Sequence, residues 1–444
     1  MKLFPPQPNI ELYRNGFDGR DLLDRKRVGA YLSDLIERVE DPLVIAIDGQ
    51  WGSGKSFFLK CWVGAHKNEN AGTATTVYFD AFENDFLDDP LISLTSAVSQ
   101  RIASVGKSPK AWDKARRAAA TMWRPSARVA LSVATAGISE IVGAVADAGL
   151  AKAQQEAEKH VDALWKREAG HKAAMIDFKQ ALQDLTAPSA DGQATKLVIA
   201  VDELDRCRPD YALTVLETIK HFFNVQNVHF ILGANMDELS NSVRARYGQG
   251  TRADLYLQKF ISITLNLPNS VGEQHEQRHV AIGYFDNMAK IMEINESLKE
   301  KLKKHLIRQS IDFNLTLRAA EKVLTQAALV PQSDNAFSNL YQGYQWLVSG
   351  IVIMKSLFPE AYRDLSAGAL NIDKARKIFS TGGSVNKDND YPGFLINHVW
   401  TTFLAPSQVK SDERWGDFFG RMGGVDNPER MLKKIMIDYF EILK

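Results

Sequence analysis

Five short apolar runs punctuate the chain before Pro268: Leu43–Ile47, Thr76–Phe79, Leu197–Val201, Val228–Ala234 and Ile261–Leu267. They are rich in β-branched and aromatic residues and too short for buried helices, so each reads as a strand. Between them the period changes. Over Asp21–Val39 the residues Leu22, Leu23, Val28, Tyr31, Leu32, Leu35 and Ile36 recur at helical spacing. Helical patterns also start at Phe57 and cover Gln154–Leu185, Tyr211–Phe223, Asp237–Tyr247 and Asp254–Phe260. Strands alternating with helices predict an α/β fold with a central, mostly parallel sheet. Past Pro268 no further run reads as a strand, and the pattern is amphipathic helix throughout. The expected organisation is an N-terminal arm (1–20), an α/β core (21–268) with a helical insertion at about 101–190, a helical lid (269–330) and a mainly helical C-terminal region (331–444).

Composition narrows the class. The 444 residues suffice for two or three domains, with 45% hydrophobic and 24% charged residues, an ordinary globular balance. The formal net charge is +0, so no global field favours nucleic acid or an acidic partner. The two cysteines, Cys61 and Cys207, have no metal-ligand spacing and suggest a reducing compartment. Met1–Pro6 lacks the apolar run of a signal peptide, so a cytoplasmic location is expected.

One local anomaly stands out. Arg101, Lys107, Lys110, Lys114, Arg116, Arg117, Arg124 and Arg128 face a single acid, Asp113, with Trp112 and Trp123 among them. The following Val129–Ala151 is nearly uncharged, but Glu140 and Asp147 make it a poor membrane span. The basic stretch 101–128 fits contact with a membrane surface, which would make the protein peripheral to the inner membrane. It fits equally a nucleic-acid patch, or a solvated basic helix.

The chemistry concentrates at two strand ends. Gly49-Gln50-Trp51-Gly52-Ser53-Gly54-Lys55-Ser56 fits G-x-x-x-x-G-K-[ST] at every fixed position, between a strand and the helix opened by Phe57. In such a loop the N–H groups and the helix N-terminus cradle phosphates. Lys55 would reach the β- and γ-phosphates, and the Ser56 hydroxyl would ligate Mg²⁺. The strand before Asp202-Glu203-Leu204-Asp205-Arg206 ends as a Walker B motif does. Asp202 would hold the Mg²⁺ shell, and Glu203 would polarise the attacking water. ATP and Mg²⁺ are thus the expected ligands.

Secondary candidates surround these. Asn235, at the end of the Val228–Ala234 run, stands where a γ-phosphate sensor would sit, and Arg318 could reach back from a helix start as a lid arginine. Asp80 and Glu83 end the second strand and read either as Mg²⁺-water or substrate contacts or as loop carboxylates. Asp24 and Arg25 could neighbour the base or ribose, or belong to a plain packing helix. Arg244, Arg246, Arg252 and Lys259 precede the last strand, where ring-forming ATPases carry the residue that reaches a neighbour's nucleotide. His229, inside an apolar run, reads as a core histidine. Residues 331–444 hold no catalytic constellation.

These motifs resemble the KAP-family P-loop NTPases. The resemblance rests on the tryptophan inside Gly49–Ser56, on Asp202-Glu203-Leu204-Asp205-Arg206-Cys207-Arg208-Pro209, and on Tyr247-Gly248 followed by Tyr256-Leu257-Gln258-Lys259-Phe260. It covers roughly residues 20–330. Asp80-Ala81-Phe82 departs from the family's usual Asn-Ala-Trp. The family commonly inserts transmembrane helices between the Walker motifs, and here that place is taken by the weakly apolar Arg101–Leu185 insertion. The resemblance implies an ATPase of the additional-strand, AAA-like branch, forming homo-oligomers, signalling to a protein effector and often serving anti-phage defence. The competing readings are a low-turnover ATP-binding scaffold and a nucleic-acid-stimulated ATPase.

Overall fold

The computed structural model describes residues 2–6, 9–87, 89–105, 172–188, 194–222, 224–268, 270–271, 278–312, 315–331, 336–382, 385, 387–409, 418–419 and 428–440. Its centre is a five-stranded sheet of β1 (Val44–Asp48), β2 (Thr75–Asp80), β3 (Leu197–Asp202), β4 (Val228–Ala234) and β5 (Ile263–Asn266), in the order β2-β3-β4-β1-β5. Every neighbouring pair is parallel. The apolar runs are continuous because both faces of the sheet are covered. Alternate residues of one strand serve different cores. Leu197, Ile199 and Val201 pack with α3 (Pro90–Ser104), α4 (172–186), α5 (Pro209–Lys220) and α6 (Met236–Tyr247). Val198 and Ala200 pack on the other side with α1 (Lys26–Arg38) and α2 (Lys55–Asn68). β3 and β4 are buried along their whole length, whereas edge strand β5 alternates between half-buried and exposed residues.

This order inserts β4 between the strand that leads into the glycine-rich loop and the strand that carries the acidic pair. Register then aligns the strand ends. Asp80 pairs with Asp202, and Asp48 pairs with both Ala234 and Asn266. A row of polar groups therefore lines the carboxyl edge of the sheet, where open α/β folds bind ligands.

Two expectations change in detail, and a third is described only in part. The first helix starts at Lys26, five residues later than its apolar spacing indicates. Asp21 accepts the N–H groups of Arg25 and Lys26, both at 2.7 Å, and stops the helix there. Past Pro268 the chain is not purely helical: β6 (Ser270–Val271) and β7 (Arg278–His279) form a two-stranded antiparallel hairpin, each strand too short to show a period. The C-terminal helix of the insertion is present at 172–186, but residues 106–171, including most of the basic stretch and all of Val129–Ala151, lie outside the described residues.

After α7 (Ala253–Leu257), β5 and the hairpin come α8 (Val280–Ile291), α9 (Glu296–Asp312), α10 (Leu317–Ala328), α11 (Gln342–Leu357), α12 (Pro359–Ser366), α13 (Ile372–Ile378), α14 (Tyr391–Leu404) and α15 (Pro428–Phe440). One apolar cluster runs through them from Val280 to Met436, with α11 buried over most of its length. Its seam with the sheet domain is the site. Among the described residues no helix is long and apolar enough to cross a membrane. Cys61 and Cys207 are both buried and free.

Candidate functional site

The loop between β1 and α2 folds as its glycines allow. Gly52 and Gly54 have φ of +78° and +88°, a region that a Cβ strongly disfavours. Space is equally tight: a Cβ on Gly52 would lie 2.7 Å from the Cβ of Arg318. The Gly52 carbonyl accepts the Leu317 N–H at 2.9 Å. The start of α10, capped by the Thr316 hydroxyl, is thereby fastened to the loop.

Lys55 is buried, and its ammonium donates to the carbonyls of Gly49 (2.6 Å) and Gln50 (3.4 Å). Burial lowers its pKa, while Asp205, Asp202, Glu203 and Asp48 hold the charge in place. The Ser56 hydroxyl donates to Glu203 Oε1 at 2.6 Å. Glu203 Oε2 pairs with Arg206 Nε at 2.5 Å, so both carboxylate oxygens are engaged. Glu203 also has φ +59°, an uncommon conformation for a residue with a Cβ, of a kind that concentrates at functional sites.

Asp202 is fully buried. It accepts the Tyr78 hydroxyl (2.6 Å) and the Glu203 N–H (2.9 Å). Burial, with the neighbouring Glu203 charge adding to it, raises its pKa to about 6, opposed by the bond from the Tyr78 hydroxyl. Gly233 on β4 makes room for this carboxylate, since a Cβ there would lie 2.7 Å from Asp202 Oδ1. Trp51, 43% exposed, donates its indole N–H to the buried Asp205 at 2.6 Å. Among the described residues no group of three His, Cys, Asp or Glu side chains could hold a metal. A Mg²⁺ ion needs no such cage, because it keeps several waters and takes one or two carboxylates plus phosphate oxygens. The Ser56 hydroxyl beside the Asp202 carboxylate supplies hard oxygen donors of the right kind.

A cleft of about 340 Å³ opens beside the loop. Gly49, Gln50 and Ser53 form one wall, Asp48, Asn235 and Asn266 the sheet edge, and His279–Ala281 and Leu315–Leu317 the opposite wall. Arg25 lines it too. Asn235 stands at the cleft, but its Oδ1 caps α6 by accepting the Asp237 N–H at 3.1 Å. Phe57 packs between the sheet core and the helical core.

Other candidates lie elsewhere. Arg318 has its backbone against Gly52, but its side chain is exposed and outside the cleft lining. Asp24 is exposed at φ +48°. Asp80 accepts the Glu83 N–H at 3.0 Å and shapes the turn after β2. Arg244 bonds Asn241, Arg252 pairs with Asp254, and Lys259 sits over the Tyr256 ring. His229 is fully buried in β4. The contacts of Tyr78, Asp205 and Arg206 emerge only from the structure, because they depend on strand register and on a 3₁₀ turn that no local pattern signals.

The assembled groups suit a phosphate chain, one hydrated metal ion and one water. Among known proteins, the KAP family P-loop domain matches residues 25–329. No curated protein matches the chain. Two solved structures of the Aeropyrum pernix ORC2 protein align with it. The ADPNP–ADP complexes share 13% identity at TM-score 0.37, over 96% of this chain and 90% of that one. The ADP form shares 12% at TM-score 0.34, over 98% and 95%. Scores this low leave the fold to rest on the strand order and loop geometry above. With the family match spanning the sheet, the glycine-rich loop, the acidic end of β3 and the start of α10, the chain belongs to the KAP family of P-loop NTPases and is a nucleotide-binding protein of that hydrolase class.

Proposed function

We propose that the chain is a Mg²⁺-dependent ATPase whose nucleotide state drives a change of assembly, signalling to a protein effector. The observation that supports this best is the convergence of Lys55, Ser56, Asp202 and Glu203, from two segments far apart in sequence, within hydrogen-bond reach of one another or of the loop backbone. Gly49–Phe57 would hold the triphosphate, Lys55 would meet its β- and γ-oxygens, and Ser56 with Asp202 would hold the ion, which supplies charge neutralisation when bound. Glu203 would then take a proton from the attacking water. Asn235 would read the γ-phosphate. Arg318, fastened to the loop through Leu317, would close the lid by turning inward.

In this reading residues 21–268 are the catalytic core, 269–330 the lid and 331–444 the region that carries the response. One of Arg244, Arg246, Arg252 and Lys259 would complete a neighbour's site in a homo-oligomer. A role in prokaryotic anti-phage defence is part of the proposal and rests on the family resemblance; a cytoplasmic site of action is also part of it and draws on the two free cysteines, Cys61 and Cys207. A second reading, an ATP-binding scaffold with little turnover, draws on the engagement of both Glu203 oxygens. Mass in solution tests the switch. With ATP, Glu203→Gln should accumulate as a larger species, and ADP should return it to the apo mass. An unchanged mass in all states would remove the oligomeric switch.

A further inference from the structure

Arg25 is 1% exposed, yet its Nε and Nη1 have no hydrogen-bond partner. Asp21, the acid whose field reaches it, uses its carboxylate on the backbone N–H groups of Arg25 and Lys26. Burial accordingly lowers the Arg25 pKa to about 10. A buried cation with donors left unbonded destabilises the protein that carries it. Arg25 also lines the cleft beside the glycine-rich loop. Its Nη1 would be 3.2 Å from a Cβ placed on Gly54, so it sits at the exit of the loop. Lys55 serves the β/γ end of a triphosphate, whereas the loop N–H groups cradle the α- and β-phosphates.

We infer that Arg25 is a second cationic ligand of the nucleotide and grips the α/β-diphosphate that ATP and ADP share. The inference rests on the NTPase reading of the site. Its missing partners are phosphate oxygens, met by a planar fork suited to two at once. It therefore tightens both nucleotides without discriminating between them, and it contributes nothing to the apo fold.

The test is titration calorimetry with ATP and with ADP, plus apo melting, on the full chain of wild type, Arg25→Met and Arg25→Lys. Arg25→Met should weaken both nucleotides by a similar factor, roughly 10- to 100-fold for a charge-assisted bond. Its apo melting temperature should equal or exceed that of wild type, and Arg25→Lys should recover part of the affinity. A lower apo melting temperature for Arg25→Met would make Arg25 a structural group and overturn the inference. So would unchanged ADP affinity, with or without loss for ATP. If wild type itself binds neither nucleotide, the NTPase reading fails first and takes this inference with it.

Discussion

The Ser56 hydroxyl and the Glu203 carboxylate share a 2.6 Å hydrogen bond across 147 residues of sequence, and Arg206 takes the other oxygen of that carboxylate. The residue proposed to ligate the metal and the residue proposed to activate water thus touch each other. Ser56, on turning to ligate an ion, would release Glu203 and leave Arg206 as the remaining restraint on it. Arg206 is one-third exposed, so solvent screens the pair and it is worth about 1 kcal/mol at most. Arg206→Ala should raise basal kcat for ATP about five-fold, with KM unchanged. A fall in kcat would mean that Arg206 holds Glu203 in its working position.

Trp51 ties the loop to the acidic motif from the other side. Its indole N–H is the hydrogen-bond donor to Asp205 Oδ2, and Lys55 is 4.0 Å away. Trp51→Phe leaves a buried carboxylate without that donor, a change worth roughly 1–3 kcal/mol. Chemical denaturation should show a loss in this range. The loss should shrink when Trp51→Phe is made in an Asp205→Asn background, because the two residues share one interaction. Additive losses would show that the bond carries no coupling.

Much of this was legible from local pattern. The five strands of the main sheet are short apolar runs because helices cover both faces, and that burial leaves its mark on every position of β3 and β4. The glycine-rich loop is legible because its φ values and close contacts impose glycine at set places. What was not legible depends on contacts distant in sequence or on pieces too short to carry a period. Tyr78 and Asp202 are 124 residues apart, and Trp51 and Asp205 are 154 apart. The β6–β7 hairpin has two residues per strand. Arg25 reads from the sequence either as a base or ribose neighbour or as part of a plain packing helix, and its burial with Nε and Nη1 unbonded is what points to phosphate.

Acid should unfold the chain through buried histidines. Burial, with Lys196 adding to it, depresses His229 to about 4. Burial, with Arg308 adding to it, depresses His305 to about 3. In the unfolded chain both protonate near 6.5, so below that pH the unfolded state binds more protons than the folded one. Stability is then full above pH 6.5 and falls as pH drops toward 4, by about 1.4 kcal/mol per pH unit for each histidine. Both ring nitrogens of His229 lack partners, so His229→Leu should be tolerated at pH 7 and should flatten the slope between pH 6.5 and 4.5. Denaturation midpoints across that range check this. An unchanged slope would mean that His229 is not neutral in the folded chain.

Phosphate release from ATP in the presence of Mg²⁺, measured on wild type and Glu203→Gln with ATP affinity determined on the same samples, tests the central claim most directly. Wild type should turn over, Glu203→Gln should not, and both should retain ATP affinity. Binding by both proteins with turnover by neither would contradict that claim. The chain would then be an ATP-holding scaffold, and Glu203 a residue that serves only to secure Ser56.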